Sequence, residues 1–202
     1  MVRTETAERE ALIRTAASKG PGAEDAFTAL VDIHRPRVVS FIAGLLGDRD
    51  QAEDVAQGVF LKAHGALSGF RFDARFDSWL FRIAYRAAID HTRKGWWRRR
   101  VRLDAMTEPG REEALAGLSG AAGSGAPPDP EESVLREERA RRVRHALRAI
   151  PMAYRAPLAL KDLADLPYEE IARILGCPLG TVESRIHRGR LALRRKLGKV
   201  LP

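Results

Sequence analysis

Residues 168–187, YEEIARILGCPLGTVESRIH, contain the pattern that decides the fold of the C-terminal part of the chain. Apolar residues recur three and four positions apart on both sides of Gly176, which indicates two short amphipathic helices. Gly176 can adopt the positive φ that ends a helix, and Pro178 suits the start of the next one. Val182 and Ile186 share the inward face of that second helix. We predict a helix-turn-helix, although an ordinary helical hairpin shares this apolar spacing.

The second of these helices leaves a polar and basic face on its outside. A helix of this kind fits the major groove of DNA. The continuation RGRLALRRKLGK at 188–199 extends the helix and adds cations that can bind phosphates. The candidate DNA-contacting residues are Thr181, Val182, Glu183, Ser184, Arg185, His187, Arg188 and Arg190.

A further amphipathic helix is predicted over residues 51–64, QAEDVAQGVFLKAH. Its apolar face is broad, and its other side combines acids and an amide with one leucine. Such a leucine is common on ordinary protein surfaces, yet the same face could receive the basic helix of a partner. The residues alone leave both interpretations open. That side carries Glu53, Asp54, Gln57, Leu61 and His64.

The next helix is predicted to begin at Ser78, with Asp77 as its N-cap, and to end near Lys94 because Gly95 follows. One side carries a buried stripe, and a different side carries three arginines within about 40° of one another. The buried stripe comprises Leu80, Ile83, Ala84, Ala87 and Ala88, and the arginines are Arg82, Arg86 and Arg93. A basic stripe is commonly only a solvated face. This one continues into RKGWWRRRVR at 93–102, which holds six cations and two tryptophans.

Aromatic and basic residues also alternate in the preceding loop, residues 69–77, GFRFDARFD. This composition suits single-stranded nucleic acid, because aromatic rings stack on bases while arginines pair with phosphates. The alternative is that Phe70, Phe76 and Trp79 simply belong to the core. The same two alternatives hold for the tandem tryptophans after the helix.

An acidic connection lies between the two helical parts. Residues 116–130, AGLSGAAGSGAPPDP, contain too little apolar bulk to offset the entropy of ordering them, so we predict a flexible linker. We place one domain at 1–100 and the other at 134–202. The connection 101–133 could extend to roughly 100 Å. The net charge is +4 over 1–100, −5 over 101–135 and +9 over 136–202.

Composition excludes several classes of protein. The chain has 202 residues, a net charge of +8 and a sequence pI near 10.2, which favours a polyanionic partner. Its one cysteine, Cys177, cannot form a disulfide framework or a thiolate metal cage, and the histidines show no ligand spacing. No catalytic constellation is recognisable, so we predict neither enzymatic activity nor a metal or cofactor. With no secretory signal and no apolar run long enough for a bilayer, we expect a soluble cytoplasmic protein without direct membrane insertion.

Three segments, in this order, are similar to those of a known family. They are DRDQAEDVAQGVFLKAHGAL at 48–67, FDSWLFRIAYRAAIDHTRK at 76–94 and YEEIARILGCPLGTVESRIHRGRLALRRKL at 168–197. Together with the linker they resemble the extracytoplasmic-function (ECF) class of bacterial sigma factors, and the likeness covers about 26–94 and 137–197. The resemblance implies an all-α fold with a sigma2 and a sigma4 domain. It also implies a subunit that binds core RNA polymerase, recognises the −35 and −10 promoter elements and helps to open DNA.

The resemblance further implies which residues meet each partner. The β′ clamp helices of core polymerase would bind Glu53, Asp54, Gln57, Phe60 and Leu61. The −10 element would be read and melted by Arg71, Phe72, Phe76, Trp79, Arg82, Tyr85, Arg86, Arg93 and Lys94. The −35 element would be read by the second helix of the helix-turn-helix, in a domain that also meets the β flap. The linker would thread toward the polymerase active centre, and an anti-sigma factor, often membrane-bound in this family, would hold the protein inactive.

Two residues depart from the usual pattern of the family. Gly58 stands where an acid commonly follows the clamp-binding Gln57, which weakens the helix by about 1 kcal/mol relative to alanine and removes a possible contact. Glu183 stands where a cation is frequent, so it would accept a hydrogen bond from a cytosine amino group instead of binding phosphate.

Two other classes of protein share parts of this pattern. A dimeric helix-turn-helix regulator would read two half-sites without docking on polymerase. That alternative leaves the helix at 51–64, the aromatic loop and the acidic linker without a common purpose. A nucleic-acid enzyme such as a recombinase would need catalytic carboxylates that the sequence does not reveal.

Overall fold

The computed structural model describes the backbone of residues 2–18, 20–104 and 130–198, and the side chains of 8–18, 20–93 and 138–198. Throughout this part of the chain the regular structure is helical and no strand occurs, which confirms the predicted all-α class. The helices are α1 (Val2–Ala17), α2 (Ala23–Leu46), α3 (Arg49–Leu67), α4 (Phe76–Asp104), α5 (Pro130–Arg148), α6 (Met152–Asp162), α7 (Tyr168–Leu175) and α8 (Leu179–Leu197). None of these helices is long and apolar enough to cross a membrane.

The N-terminal half is built around α2, which contacts α1, α3 and α4. Gly47 ends α2 with a φ of 75°, and its N–H donates to the carbonyl of Ala43 at 2.7 Å. The following residue, Asp48, caps α3, since its Oδ1 accepts from the N–H of Gln51 at 3.0 Å. A left-handed glycine followed directly by an aspartate cap therefore joins the two helices with a minimal turn.

Helix α4 is longer than predicted at both ends. It begins at Phe76, so Asp77 lies in its first turn and is not its N-cap, and it passes through Gly95 to end at Asp104. The prediction of an end at Gly95 was wrong, because Gly95 keeps the helical conformation and does not take the left-handed one with which Gly47 ends α2. Inside a helix a glycine costs about 1 kcal/mol, and a helix of 29 residues tolerates that cost.

The predicted linker is therefore helical where it is described. Helix α4 reaches four residues beyond position 100, and α5 begins at Pro130, before the predicted domain start at 134. The rest of the predicted linker, 105–129, lies outside the described residues.

The C-terminal half contains the predicted helix-turn-helix. Helix α7 ends at Gly176, which has a φ of 63°, and α8 begins directly after Pro178. Val182 and Ile186 are buried, as predicted. The basic continuation belongs to the same helix, because α8 runs without interruption to Leu197.

The two halves pack against each other, an arrangement that the sequence did not indicate. Helix α2 contacts α5 and α6, and α4 contacts α7, so buried side chains of both halves form one continuous core. The approach is close at Gly44, where a Cβ atom would lie 2.6 Å from Cδ1 of Leu163. Arg37 adds a polar link, since its guanidinium donates to the carbonyl of Ala164.

Gly189 allows α8 to approach α6, and its replacement tests this packing. A Cβ atom at Gly189 would lie 2.9 Å from the backbone oxygen of Tyr154, so Gly189→Ala should push the helices apart and lower the free energy of unfolding by about 1–3 kcal/mol. Gly180 on the same helix has nothing within 4 Å of its Cβ position, so Gly180→Ala is the matched control and should not destabilise the protein. Chemical denaturation measures both variants, and equal stability would contradict the close approach.

Candidate nucleic-acid and protein interfaces

Four aromatic rings cluster where the loop meets the first turn of α4. Phe70 lies at its centre, with its ring centroid 5.9 Å from that of Phe76, 5.4 Å from that of Trp79 and 4.8 Å from that of Phe72. Phe70 and Phe76 are buried, whereas Phe72 and Trp79 are half-buried. The core interpretation therefore holds for the first two rings, while the outer two retain surface on which a base could stack.

Phe72 is held in an unusual backbone conformation. Its φ of 60° lies in the left-handed region, which costs a bulky residue about 1–3 kcal/mol. Such a conformation persists only where the surrounding contacts enforce it. One of these contacts comes from α1, because the guanidinium carbon of Arg14 lies 4.4 Å from the centroid of the Phe72 ring.

The start of α4 is anchored to α2 through Asp77. Its carboxylate lies 3.2 Å from Nδ1 of His34, 3.5 Å from Arg37 and 3.9 Å from Arg75. The contact with His34 lacks hydrogen-bond geometry. Burial lowers the pKa of His34, and the nearby Asp77 carboxylate only partly opposes this. A neutral imidazole therefore packs beneath the loop, with its ring 5.2 Å from that of Phe76.

The predicted basic stripe lies on α4. Arg86 and Arg93 are exposed, as is Arg71 in the loop. Arg82 is half-buried, and its Nε is buried without a hydrogen-bond partner. The stripe thus offers cations to a ligand, and Arg82 holds a donor that the described protein atoms leave unused. The side chains of 94–102, which include Lys94 and both tryptophans, lie outside the described residues.

Helix α4 also contacts α7 of the helix-turn-helix in the other half. Burial raises the pKa of Tyr85, and the positive charge of Arg185 on α8 acts in the opposite direction. Both side chains are half-buried, and both are candidate DNA contacts. The protein itself therefore covers part of each of these two candidate side chains.

The outward side of α3 presents an exposed leucine beside polar side chains. Leu61 is 70% exposed, more than any other large hydrophobic residue among the described side chains. Asp54 and Gln57 are exposed and lie seven and four residues before it, on the same side of the helix. Glu53 is less available, because its carboxylate lies 2.6 Å from Arg35.

Two other residues of α3 bear on this surface. Phe60 is only 9% exposed and belongs to the core, so it supports the helix from inside and does not line the outward side. A Cβ atom at Gly58 would meet nothing within 4 Å. Crowding within the protein therefore does not explain why Gly58 carries no acidic side chain.

The outward side of α8 carries most of its predicted contact residues. Glu183, Ser184, His187, Arg188 and Arg190 are exposed, and Thr181 and Arg185 are half-buried. Val182 is buried, so it packs inside and does not reach a ligand of this face. Arg190 is 2.7 Å from Asp162, and this hydrogen bond raises the pKa of Arg190. Arg188 has no ion pair within the described part of the chain, which leaves its charge available.

Sequence reasoning missed the residues that shape these surfaces from outside. Arg14, His34 and Arg37 act on the aromatic loop, and Asp162 acts on α8. Each lies far along the chain from the residue that it contacts, and hydrophobic periodicity carries no signal for such pairs. The described side chains also contain no cluster of three or more His, Cys, Asp or Glu residues that could hold a metal ion.

Both halves match known protein families. Residues 30–98 match the family described as Sigma-70 region 2, and residues 140–193 match the family described as Sigma-70, region 4. The first match includes α3, the aromatic loop and the described stripe on α4, and the second includes the helix-turn-helix. Helix α1 precedes the first match.

Curated relatives are similar over most of the chain. The ECF RNA polymerase sigma factor SigW of Bacillus subtilis is 36% identical over 87% of this chain and 91% of its own length. The RNA polymerase sigma-H factor of Pseudomonas aeruginosa is 34% identical over 89% and 90%. The ECF RNA polymerase sigma-E factor of Escherichia coli is 35% identical over 87% and 88%.

Two solved structures share the fold. One is CnrH in complex with the cytosolic domain of CnrY, with a TM-score of 0.63, 23% identity and coverage of 93% of this chain and 96% of that one. The other is the sigma factor RpoE in complex with the anti-sigma factor NepR from Bartonella quintana, with a TM-score of 0.64, 24% identity and coverage of 85% and 96%. At these identities the likeness concerns the fold alone.

Proposed function

The chain belongs to the extracytoplasmic-function family of RNA polymerase sigma factors, and we propose how its surfaces are divided among core polymerase and the two promoter elements. As a member of this family it is a transcription initiation factor that directs core polymerase to promoters. One observation supports this division most strongly: the exposed faces of α3, α4 and α8 lie within the two regions that match the sigma families. The residue assignments and the domain limits 1–100 and 134–202 are part of the proposal.

Core polymerase binds the outward side of α3 in this proposal. Leu61 would enter an apolar hollow between the β′ clamp helices, with Asp54 and Gln57 beside it and Glu53 at the edge. An apolar anchor ringed by polar groups is the usual composition of the centre of a protein interface. The Leu61 side chain is mostly exposed, so it contributes little to the core of the protein itself.

Leu61→Ala should therefore weaken binding to core polymerase without harming the fold. Full burial of a leucine side chain contributes about 1.5–3 kcal/mol, so we expect the Kd for core polymerase to rise about tenfold or more. Ile33→Ala, which truncates a 39% exposed aliphatic side chain on α2, is the matched control. Fluorescence titration of labelled protein with core polymerase measures both, and an equal change in the two variants would contradict docking through α3.

The aromatic loop and the stripe on α4 bind the −10 element in this proposal. Phe72 and Trp79 offer ring surface to an unpaired base, and stacking of this kind contributes about 1–3 kcal/mol per base. That gain is comparable to the few kcal/mol lost when a base leaves the duplex. Arg71, Arg82, Arg86 and Arg93 would bind the phosphates of the same strand, and Tyr85 would add a further ring.

Helix α8 binds the −35 element in this proposal. Its exposed residues from Glu183 to Arg188 would enter the major groove, where Arg188 has a charge without a partner in the described chain. Arg190 already pairs with Asp162 on α6, so it would contribute less. Glu183 would select a cytosine, which distinguishes the promoter from those read through a cation at that position.

Promoter-directed transcription with core polymerase tests these assignments. Wild-type protein should support initiation at a defined start site, and Arg188→Ala should reduce initiation at a promoter with a −35 element by about tenfold, since a base contact is worth about 1–3 kcal/mol. Arg142→Ala on α5, which removes an exposed arginine paired with Glu138, is the control and should initiate normally. Unchanged promoter occupancy by the Arg188 variant would exclude α8 as the reading helix.

A promoter regulator that does not dock on polymerase is disfavoured, because the Sigma-70 region 2 match includes the exposed side of α3. The partners of the proposal are core polymerase, through the β′ clamp helices and the β flap, promoter DNA, and an anti-sigma factor that could itself be anchored in the membrane. The related RpoE structure holds an anti-sigma factor. The site of action would be the cytoplasm.

The two DNA-reading faces must separate before both promoter elements can be bound. In the packed arrangement α4 contacts α7, and Tyr85 and Arg185 lie on the two helices that carry the proposed DNA-reading faces. The two elements lie more than one turn of DNA apart, a turn being about 34–36 Å. The packed arrangement would therefore be a closed form, and binding to core polymerase would open it.

A further inference from the structure

Helix α1 precedes the region matched by the Sigma-70 region 2 family, yet it reaches the loop proposed to read the −10 element. It packs along α2, with Ile13 buried in the core and Leu12 packed against it. Arg14 follows these residues and projects to the aromatic loop. The guanidinium carbon lies 4.4 Å from the centroid of the Phe72 ring, a cation–π distance.

The Phe72 ring contacts one side chain of the loop and one side chain of α1. Phe70, which is buried, lies 4.8 Å from it between ring centroids, and Arg14 covers it from α1. The backbone of Phe72 is in the left-handed region, with a φ of 60°. No glycine relieves the strain at this position, so side-chain contacts must maintain the conformation. Arg14 supplies a contact from outside the loop, in addition to the packing of Phe72 against the core.

Arg14 is itself oriented by its neighbour on the same helix. Its Nη2 donates to Oε1 of Glu10 at 2.6 Å, one helical turn earlier. Both side chains are exposed, so the pair adds little to stability. The hydrogen bond to Glu10 orients the Arg14 guanidinium, which at the same time lies over the Phe72 ring.

We propose that Arg14 is a positioning residue of the −10 reader. Its contact with the Phe72 ring helps to hold the Phe72 backbone in the left-handed conformation, and this conformation shapes the loop for an unpaired base. The inference rests on the proposed function of the loop at 69–77. Arg14 acts through Phe72, so its loss should matter only where a base enters the loop. A purely structural role would instead weaken the binding of every strand alike.

The test uses holoenzyme assembled from core polymerase and the full chain. Its ligands are a single-stranded non-template −10 oligonucleotide, a scrambled oligonucleotide, and a series in which each −10 position in turn is abasic. Arg14→Leu, which keeps a long side chain but no charge, should bind the intact −10 strand about twofold to fivefold more weakly than wild type. Arg14→Lys, which keeps the cation, should bind this strand with an affinity between those of wild type and Arg14→Leu. At one abasic position wild type and Arg14→Leu should bind equally, because the base that uses the shaped loop is missing.

A matched control is Arg142→Leu, because Arg142 pairs with Glu138 at 2.6 Å in the same i, i+4 arrangement on α5. It should bind every oligonucleotide as wild type does. Thermal unfolding of each variant checks the fold, and if Arg14→Leu does not fold, Arg14→Lys carries the same comparison across the abasic series.

Equal weakening on all oligonucleotides, or no weakening on the intact strand, would overturn the role of Arg14. If wild-type holoenzyme itself does not prefer the −10 strand over the scrambled one, the proposed function of the loop fails, and this inference fails with it. If wild type shows the preference and Arg14→Leu keeps it in full, only the inference about Arg14 fails.

Discussion

The burial of α2 is the constraint on which the rest of the structure depends. Its apolar residues contact α1, α3 and α4 on the N-terminal side and α5 and α6 on the C-terminal side, so one helix supports both halves of the protein. Phe41, Ile42 and Leu45 are almost completely buried along it. Gly44 and Gly47 permit the close approach of Leu163 and Arg148 from the other half. Every functional face is therefore carried on an element that contacts α2 or on one packed against such an element.

A polar connection accompanies this apolar one. Asp77 anchors the start of α4 to α2 through Arg37, and the same Arg37 donates to the carbonyl of Ala164 in the C-terminal half. If the halves separated as proposed, Arg37 would lose the carbonyl of Ala164 but would keep Asp77 as its partner. The Arg37 side chain is already one-third exposed, so its guanidinium would stay both paired and solvated, which limits the cost of separation. The start of α4 can thus keep its anchor in both forms.

Features with a regular spacing could be predicted from the sequence. The helix-turn-helix, its turn at Gly176 and the buried Val182 and Ile186 follow from apolar periodicity and from the conformational freedom of glycine. The exposed Leu61 follows from the same periodicity. The end of α4 could not be predicted, because Gly95 fits both the end of a helix and its interior, and only the backbone conformation distinguishes them.

Contacts between distant parts of the chain were beyond prediction. Nothing in the spacing of residues links Arg14 to Phe72, Arg37 to Ala164, or α2 to α6, because such pairs depend on how the helices pack. For the same reason the sequence could not show that Glu53 on α3 pairs with Arg35. This ion pair makes Glu53 less available to a partner than the sequence suggested. The family resemblance indicated which partner each surface would bind. The packing of the helices showed which side chains of that surface remain exposed.

In the proposed mechanism α2 holds the two halves in a closed form, and core polymerase opens this form so that both promoter elements can be reached. The distance between the halves tests this claim most directly. Dyes attached to cysteines at Asp25 on α2 and Glu169 on α7, both exposed, would report it by energy transfer once Cys177 is replaced by serine. We predict that the transfer efficiency of the free protein falls when core polymerase and promoter DNA are added. Unchanged transfer in a complex that initiates transcription would contradict the proposed opening of the protein.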